Sequence, residues 1–239
     1  MAPIKITGLI LKKTDFRETS VILNILTEHY GKIAGILKGA RNPKKKISPL
    51  TYSQGSYIEM IIYMKKISGL DLITQPFLRK YYDFENEKKI FWEKILFSVN
   101  SLIPQERIDT ESMFSLLIKS GEMLTDIKNL PIFELAFQEK ILTFLGFGPF
   151  LYKCVQCGNS NTLKFFSGKK GGVLCKQCGQ TEPSAFAISE SSIEIMRFID
   201  KISYEKILII KSFPENIYNS IKKCFDSIIA YHISEKKFL

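Results

Sequence analysis

Histidine is almost missing from this chain: 239 residues contain two, His29 and His232, each isolated in sequence. That scarcity excludes histidine-built metal sites and histidine-dependent acyl transfer as the organising chemistry. No Gly-x-Ser-x-Gly elbow, no phosphate loop ending in Gly-Lys-Ser/Thr and no His-Glu-x-x-His pair occurs. Gly171-Gly172 lacks the strand-then-helix setting of a phosphate loop. Acidic pairs such as Glu85/Glu87 and Glu106/Asp109 have the spacing of a solvated helix surface. The chain is therefore not expected to be an enzyme. Apolar runs of roughly 18 residues, the length that spans a bilayer as a helix, are absent too. The start, MAPIKITGLILKK, has neither the long apolar core nor the small-residue cleavage site of a secretory leader. A cytoplasmic, nucleoid-associated address is expected. Repeats and low-complexity tracts are lacking, and a composition 45% hydrophobic and 24% charged argues against disorder.

What is present in excess is positive charge, and it is unevenly placed. The chain carries a formal +10, and residues 1–80 alone hold 14 basic and 5 acidic side chains. Residues 81–153 hold 8 and 11, residues 154–182 hold 4 and 1, and residues 183–239 hold 8 and 7. A basic excess confined to the first third predicts a polyanionic partner for that segment, nucleic acid or an anionic membrane surface.

The same third reads as strands. Short runs of Ile, Val, Thr and Tyr lie near residues 4–13, 20–27, 32–39, 57–64 and 69–75. His29-Tyr30-Gly31 suits a hairpin turn, while Asn42-Pro43 and Ser48-Pro49 interrupt the chain before the fourth run. Five strands in about 75 residues predict a small closed barrel, an OB-fold first, with an SH3-like barrel fitting the strand count as well. From residue 82 the period lengthens to three and four: Phe91, Ile95, Val99 and Leu102; Met113, Leu116, Leu117 and Leu124; Phe133, Phe137, Ile141 and Leu145. These predict helices, with Asp109 and Thr110 as caps of the second, Pro131 in the first turn of the third and Gly146-Phe147-Gly148-Pro149 as its stop. Ser191 with Glu194 resembles a capping box for a further helix through Ile195, Met196 and Ile199. A last helix after Pro214 places Ile217, Ile221, Phe225 and Ile228 on one face. The fold class expected is multidomain α+β, with an OB-fold at 1–80, a helical bundle from 81–150 and 183–239, and an insert at 151–182.

That insert holds four of the five cysteines, as Cys154-Val-Gln-Cys157-Gly and Cys175-Lys-Gln-Cys178-Gly. Two residues within each pair and 17 between the pairs match a four-cysteine zinc site. Two intervening residues let a tight turn aim both sulfurs at one ion. Four thiolates close a tetrahedral shell, so one structural Zn2+ without a catalytic position is expected. Two disulfides and a rubredoxin-like iron remain alternatives at this point. Cys224 falls on the apolar face of the last helix and reads as an inert buried thiol.

The densest basic run is Lys38-Gly-Ala-Arg41-Asn-Pro-Lys44-Lys45-Lys46, on the loop leaving the third strand. Lys12, Lys13 and Arg17 extend it along the first strand and the turn beyond. Phe16, Tyr30, Tyr52, Tyr57 and Tyr63 are interleaved, although alternation directs several of them into the barrel. This combination suits a phosphate backbone held with little sequence preference.

At these residues a family resemblance emerges. GLILKKTDFRETSVILNILTEHYGKIAGILKGARNPKKKISPL resembles the start of the bacterial RecO recombination-repair proteins. Its marks are the Gly8 strand, Phe16-x-Glu-x-Ser20, Thr27 with Gly31, and Lys38-Gly39-Ala40-Arg41. FELAFQEKILTFLGFGPFLYKCVQCG resembles that family's helix-into-zinc junction. The resemblance implies an OB-fold that binds single- and double-stranded DNA, a helical domain and a zinc insert. It further implies a non-catalytic role: annealing strands and, with the partner RecR, loading RecA onto DNA coated by single-strand-binding protein, whose acidic tail is also contacted. Lys38 and Arg41 are the matched DNA positions; Lys12, Lys13, Arg17, Lys44, Lys45 and Lys46 are added by charge. A zinc-ribbon RNA-binding or ribosome-associated factor is the main alternative, a metal-dependent nuclease a lesser one.

Overall fold

Along Ser56–Tyr63 every second residue is buried, and Ser20–Ile25 and Asp71–Thr74 alternate likewise, each offering one apolar face, while Lys32–Leu37 is buried almost throughout. In the computed structural model, which describes residues 3–64, 69–105 and 110–233, five strands close a barrel. They are β1 (Ile4–Phe16), β2 (Ser20–Thr27), β3 (Lys32–Leu37), β4 (Ser56–Tyr63) and β5 (Asp71–Tyr81). The order around the barrel is β1-β2-β3-β5-β4, with β4 pairing back onto β1. All pairs are antiparallel except β3 with β5. This is the arrangement of an OB-fold, which resolves the ambiguity left by strand count. Ile6, Ile10, Val21, Leu23, Ile25, Ile33, Ile58, Met60 and Ile62 fill the interior. Between β2 and β3, Gly31 takes φ +70° and its carbonyl accepts from both the amide and the hydroxyl of Thr27.

Two helices complete the first compact unit, Met1–Thr125. α1 (Asn86–Leu102) and α2 (Glu111–Met123) both pack against β1. On the other side of the strand pairing from the interior, Leu9 and Leu26 sit opposite one another and are fully buried. Each contributes ~1.5–3 kcal/mol by leaving water. The run Gly-Leu-Ile-Leu is thus apolar on both faces. Thr110 precedes α2 but does not cap it with its side chain; its hydroxyl donates to the carbonyl of Thr27 at 2.8 Å instead. Asp109, the other expected cap, lies outside the described residues, as does Glu106.

The second unit, Asp126–Leu239, contains α3 (Leu130–Phe144), which packs against two later helices, α5 (Glu190–Lys201) and α6 (Glu215–Ile228). α3 buries residues around most of its circumference, whereas α5 and α6 each bury a single stripe. That pattern makes α3 the central helix of the three. Asn129 caps it by accepting from the amide of Ile132. Its end is a Schellman turn: Gly146 at φ +80°, with the amides of Phe147 and Gly146 reaching back to Leu142 and Thr143. α5 begins earlier than the Ser191–Glu194 pattern predicts. Ser189 is the cap and accepts from the amide of Ser192, leaving Ser191 inside the helix. Between α3 and α5 lie β6 (Leu163–Ser167), β7 (Gly172–Cys175), the short helix α4 (Lys176–Thr181) and β8 (Phe186–Ala187), with the sheet ordered β7-β6-β8. No helix among the described residues is long and apolar enough to cross a membrane.

Gly8 has no room for a side chain: a Cβ there would lie 2.4 Å from Ile25 Cγ2 and 3.1 Å from the Leu26 carbonyl. Gly8→Val is therefore expected to destabilise the barrel by about 1–3 kcal/mol. The readout is a lower urea midpoint for the fluorescence of Trp92, the only tryptophan, buried in α1. An unshifted midpoint would contradict the close approach of β1 and β2.

Candidate metal centre and nucleic-acid surface

The sulfurs of Cys154, Cys157, Cys175 and Cys178 all lie within 4.8 Å of one another. None is joined in a disulfide; all five cysteines of the chain are free thiols. A tetrahedron with metal–sulfur bonds of about 2.3 Å has edges of roughly 3.8 Å. The Cys157 and Cys175 sulfurs are 3.8 Å apart, so the donor set has the dimensions of a four-thiolate metal site. Electrostatics agree. Burial acts to raise the Cys154 thiol, but the amides of Cys175, Cys157 and Gln156 pointing at it outweigh this and hold it at about 6. Cys178, sharing its proton with Cys175 first and then with Cys157 and Cys154, is pushed up to about 12. Four sulfurs this close ionise together only with a cation among them.

The two knuckles repeat one sequence pattern but not one backbone. In the first, the Gly158 amide donates to the Cys154 carbonyl and Gly158 takes φ +76°, a conformation that favours glycine. In the second, Cys175 is the cap residue of α4, and Cys178 lies in that helix. Gly179 is needed for a different reason: a Cβ there would sit 2.3 Å from the Phe165 ring. The pressure of Phe165 on the second knuckle has no signal in the cysteine spacing. The remaining core of this subunit is small, with Leu174 fully buried beside Cys154 and Cys175, and Val155, Leu163 and Phe165 partly so.

The eight basic residues singled out in the sequence lie on the β1–β2 hairpin and on the loop after β3, whereas Lys5, Lys32, Arg79 and Lys80 make contacts elsewhere in the first unit. β1 pairs with β4 only as far as Leu9, while Lys12 to Phe16 pair with β2 alone. Beyond Leu9 β1 is thus an edge strand on β2, with Lys12, Lys13 and the tip residue Arg17 exposed. The loop after β3 comes to the same tip. The Arg41 amide donates to the Thr19 carbonyl, and the Arg41 guanidinium donates to Asp15 Oδ2 at 3.0 Å and to the Arg17 carbonyl at 2.6 Å. Lys45 Nζ donates to the Lys38 carbonyl, and its stem lies over Gly39. Asn42 caps the 3-10 turn Pro43–Lys45, and Lys46 follows in the left-handed region at φ +49°.

These eight cations are therefore not equivalent. Arg41 is consumed in bracing hairpin to loop, Lys13 faces Asp15 at 3.5 Å and the Tyr52 ring at 5.5 Å, and Lys45 secures the loop. Lys12, Arg17, Lys38, Lys44 and Lys46 have no acidic partner among the described residues. Asp15 was not singled out by sequence, because its pairing with Arg41 spans 26 positions. Of the interleaved aromatics, Tyr52 is buried and Tyr57 packs edge-on against Phe114 of α2. Phe16, half-buried beneath Arg17, is the aromatic at the tip itself.

Comparison with known proteins bears on both sites. Residues 1–82 match the family model described as Recombination protein O N terminal, and residues 99–238 match Recombination protein O C terminal. Proteins named DNA repair protein RecO are similar over nearly the whole chain. That of Halalkalibacterium halodurans is 23% identical, covering 98% of this chain and 93% of the relative. That of Enterococcus faecalis is 27% identical over 97% and 90%. That of Caldicellulosiruptor saccharolyticus is 29% identical over 95% and 91%.

The differing roles of the two knuckle glycines are separable. Asparagine tolerates a positive φ but brings a Cβ. Gly158→Asn is therefore expected to melt within a few degrees of the parent, while Gly179→Asn is expected to lose about 1–3 kcal/mol through the clash with Phe165. Thermal unfolding followed by circular dichroism compares them; equal losses would contradict this assignment.

Proposed function

The chain belongs to the recombination protein O family, and from that premise we propose that it is a non-enzymatic, DNA-binding mediator of recombinational repair. It holds single- and double-stranded DNA at the barrel edge and anneals complementary strands. With RecR it promotes loading of RecA on single strands coated by single-strand-binding protein, whose tail it also engages. The observation that carries this reading is the set of five unpaired cations, Lys12, Arg17, Lys38, Lys44 and Lys46, presented by a hairpin and a loop that Arg41 ties together. Flexible lysine and arginine side chains of this kind hold phosphates by charge, without the fixed bidentate geometry that base reading requires. Two strands held on cations repel one another less, which favours annealing. Arg41 and Asp15 act as positioning residues that keep the loop on the hairpin.

Cys154, Cys157, Cys175 and Cys178 hold one structural Zn2+. When bound, the ion cross-links two knuckles whose own apolar core is too small to hold them. The thiolates fill every tetrahedral position, so the site offers none to a substrate.

If the five unpaired cations each neutralise one phosphate, log K on single strands should fall with log salt at a slope of roughly −3.5. Fluorescence anisotropy with labelled oligonucleotides measures it, and a slope near zero would sink the phosphate-contact model. Replacing the five by alanine should weaken unrelated sequences to the same extent; a sequence-selective loss would argue for base reading instead. The biological role is tested by annealing of complementary strands with and without single-strand-binding protein.

Elemental analysis should find about one zinc per chain, and none in the Cys154→Ser, Cys157→Ser variant. Acid should release the metal, since protons compete for the sulfurs. Trp92 lies in the first unit, so its emission should stay constant while proteases cut within 150–188 more readily after chelation. Retention of zinc by the double variant would refute the four-thiolate site.

A further inference from the structure

The four sulfurs differ sharply in access to solvent. Cys154 and Cys175 are buried at 2% and 4% exposure, and Cys178 is intermediate. Cys157 is exposed, and so are its neighbours Gln156, Gly158 and Asn159 along the rim of the first knuckle. Beside Gly158 nothing lies within 4 Å of where a side chain would begin. A small reagent arriving from water therefore meets Cys157 first. Behind it, 3.8 Å away and shielded from solvent, stands Cys175 on the other knuckle. An exposed sulfur with a protected one in reach is the arrangement of an attacked and a resolving thiol.

We propose that Cys157 is a site of reversible oxidation, by hydrogen peroxide, and that it resolves onto Cys175 across the two knuckles. The inference rests on the metal reading above, because the four sulfurs are thiolates when they serve as donors. In the first step the Cys157 thiolate attacks the peroxide O–O bond; a sulfur–oxygen bond forms, giving the sulfenic acid, and hydroxide leaves. In the second, the Cys175 thiolate attacks the Cys157 sulfur; the S–S bond forms, the S–O bond breaks, and a second hydroxide leaves. The two sulfurs together lose two electrons, and the peroxide gains them.

The consequence is mechanical. A disulfide shortens the 3.8 Å separation to about 2.05 Å, and the joined sulfurs no longer serve as metal donors. Cys154 and Cys178 are then two donors without the other half of their shell, and the ion is released. Of the three buried residues in the cluster around the sulfurs, two are themselves donors, Cys154 and Cys175, and only Leu174 is an ordinary apolar side chain. Oxidation therefore loosens the insert. Cys224, fully buried in α6 with its thiol pushed up by desolvation, is an internal control that stays reduced.

The test uses the full chain, first shown by elemental analysis to carry zinc, treated with substoichiometric hydrogen peroxide beside a chromophoric chelator. Blocking of free thiols, reduction and a second label then identify each oxidised cysteine by peptide mass. Cys157 should be modified at least about tenfold faster than Cys154, a Cys157–Cys175 cross-linked peptide should accumulate, and zinc should appear in step with it. Dithiothreitol plus zinc should restore the starting state. Equal rates at all four cysteines, or first attack at Cys178, would overturn the entry site. A Cys154–Cys157 bridge would overturn the cross-knuckle route. Zinc-loaded protein that resists peroxide overturns this inference alone, whereas a preparation that never binds metal overturns the metal reading.

Discussion

The pairing of β1 governs the rest of the first unit. It pairs with β4 from Ile4 to Leu9 and with β2 from Gly8 to Phe16, and the overlap at Gly8 and Leu9 closes the barrel. Beyond Leu9 the strand loses one partner and continues with β2 alone. Here β1 is an edge strand on β2, which stays paired with β3 and keeps Val21 and Leu23 in the core. The register shifts between Ile10 and Lys12, and Lys12 and Lys13 beyond it are both exposed. The same strand changes from a wholly apolar stretch, Gly-Leu-Ile-Leu, to a charged one at the point where its structural environment changes.

Charge on the hairpin and its neighbouring loop is organised by two polar contacts that look minor. Arg41 connects the loop after β3 to Asp15 and to the backbone at Arg17. An exposed ion pair of this kind adds little stability, ~0–1 kcal/mol. Its effect is geometric: one cation is spent so that five others occupy a common edge. A basic segment without that brace would be a solvated loop whose charges average over many positions, and phosphate contacts would each require the loop to be ordered anew.

The four-cysteine cluster meets the opposite problem. Leu174 is the one fully buried apolar residue in the cluster around its sulfurs, and the knuckles reach the same sulfur placement by different backbones, one through a left-handed glycine and one through the first turn of a helix. Identical sequence patterns were enough to mark the four cysteines that cluster. They were not enough to explain the glycines, since one answers to φ and the other to a phenylalanine ring pressed against it. Unequal burial of the four sulfurs is likewise a property of how the sheet and α4 cover them.

Local pattern alone determined much of this protein. The five barrel strands, five of the six helices, the stop at Gly146 and the four clustered cysteines are legible in the chain, because alternation, helical period, left-handed glycine and cysteine spacing act within a few residues; the short α4 inside the insert has no such signal. Contacts between distant residues decided the remainder. Strand order, which makes the barrel an OB-fold, depends on β3 meeting β5 and β4 returning to β1. The true cap of α5 is Ser189 because the chain turns there, and Thr110 serves β2 because Thr27 offers a carbonyl. The helical residues divide, α1 and α2 with the barrel and α3 with α5 and α6, although their periodicity is continuous in kind. Which cations are free to meet a phosphate was decided last, by an aspartate 26 positions from the arginine it holds, since charge can be counted along a chain but neutralised only in space.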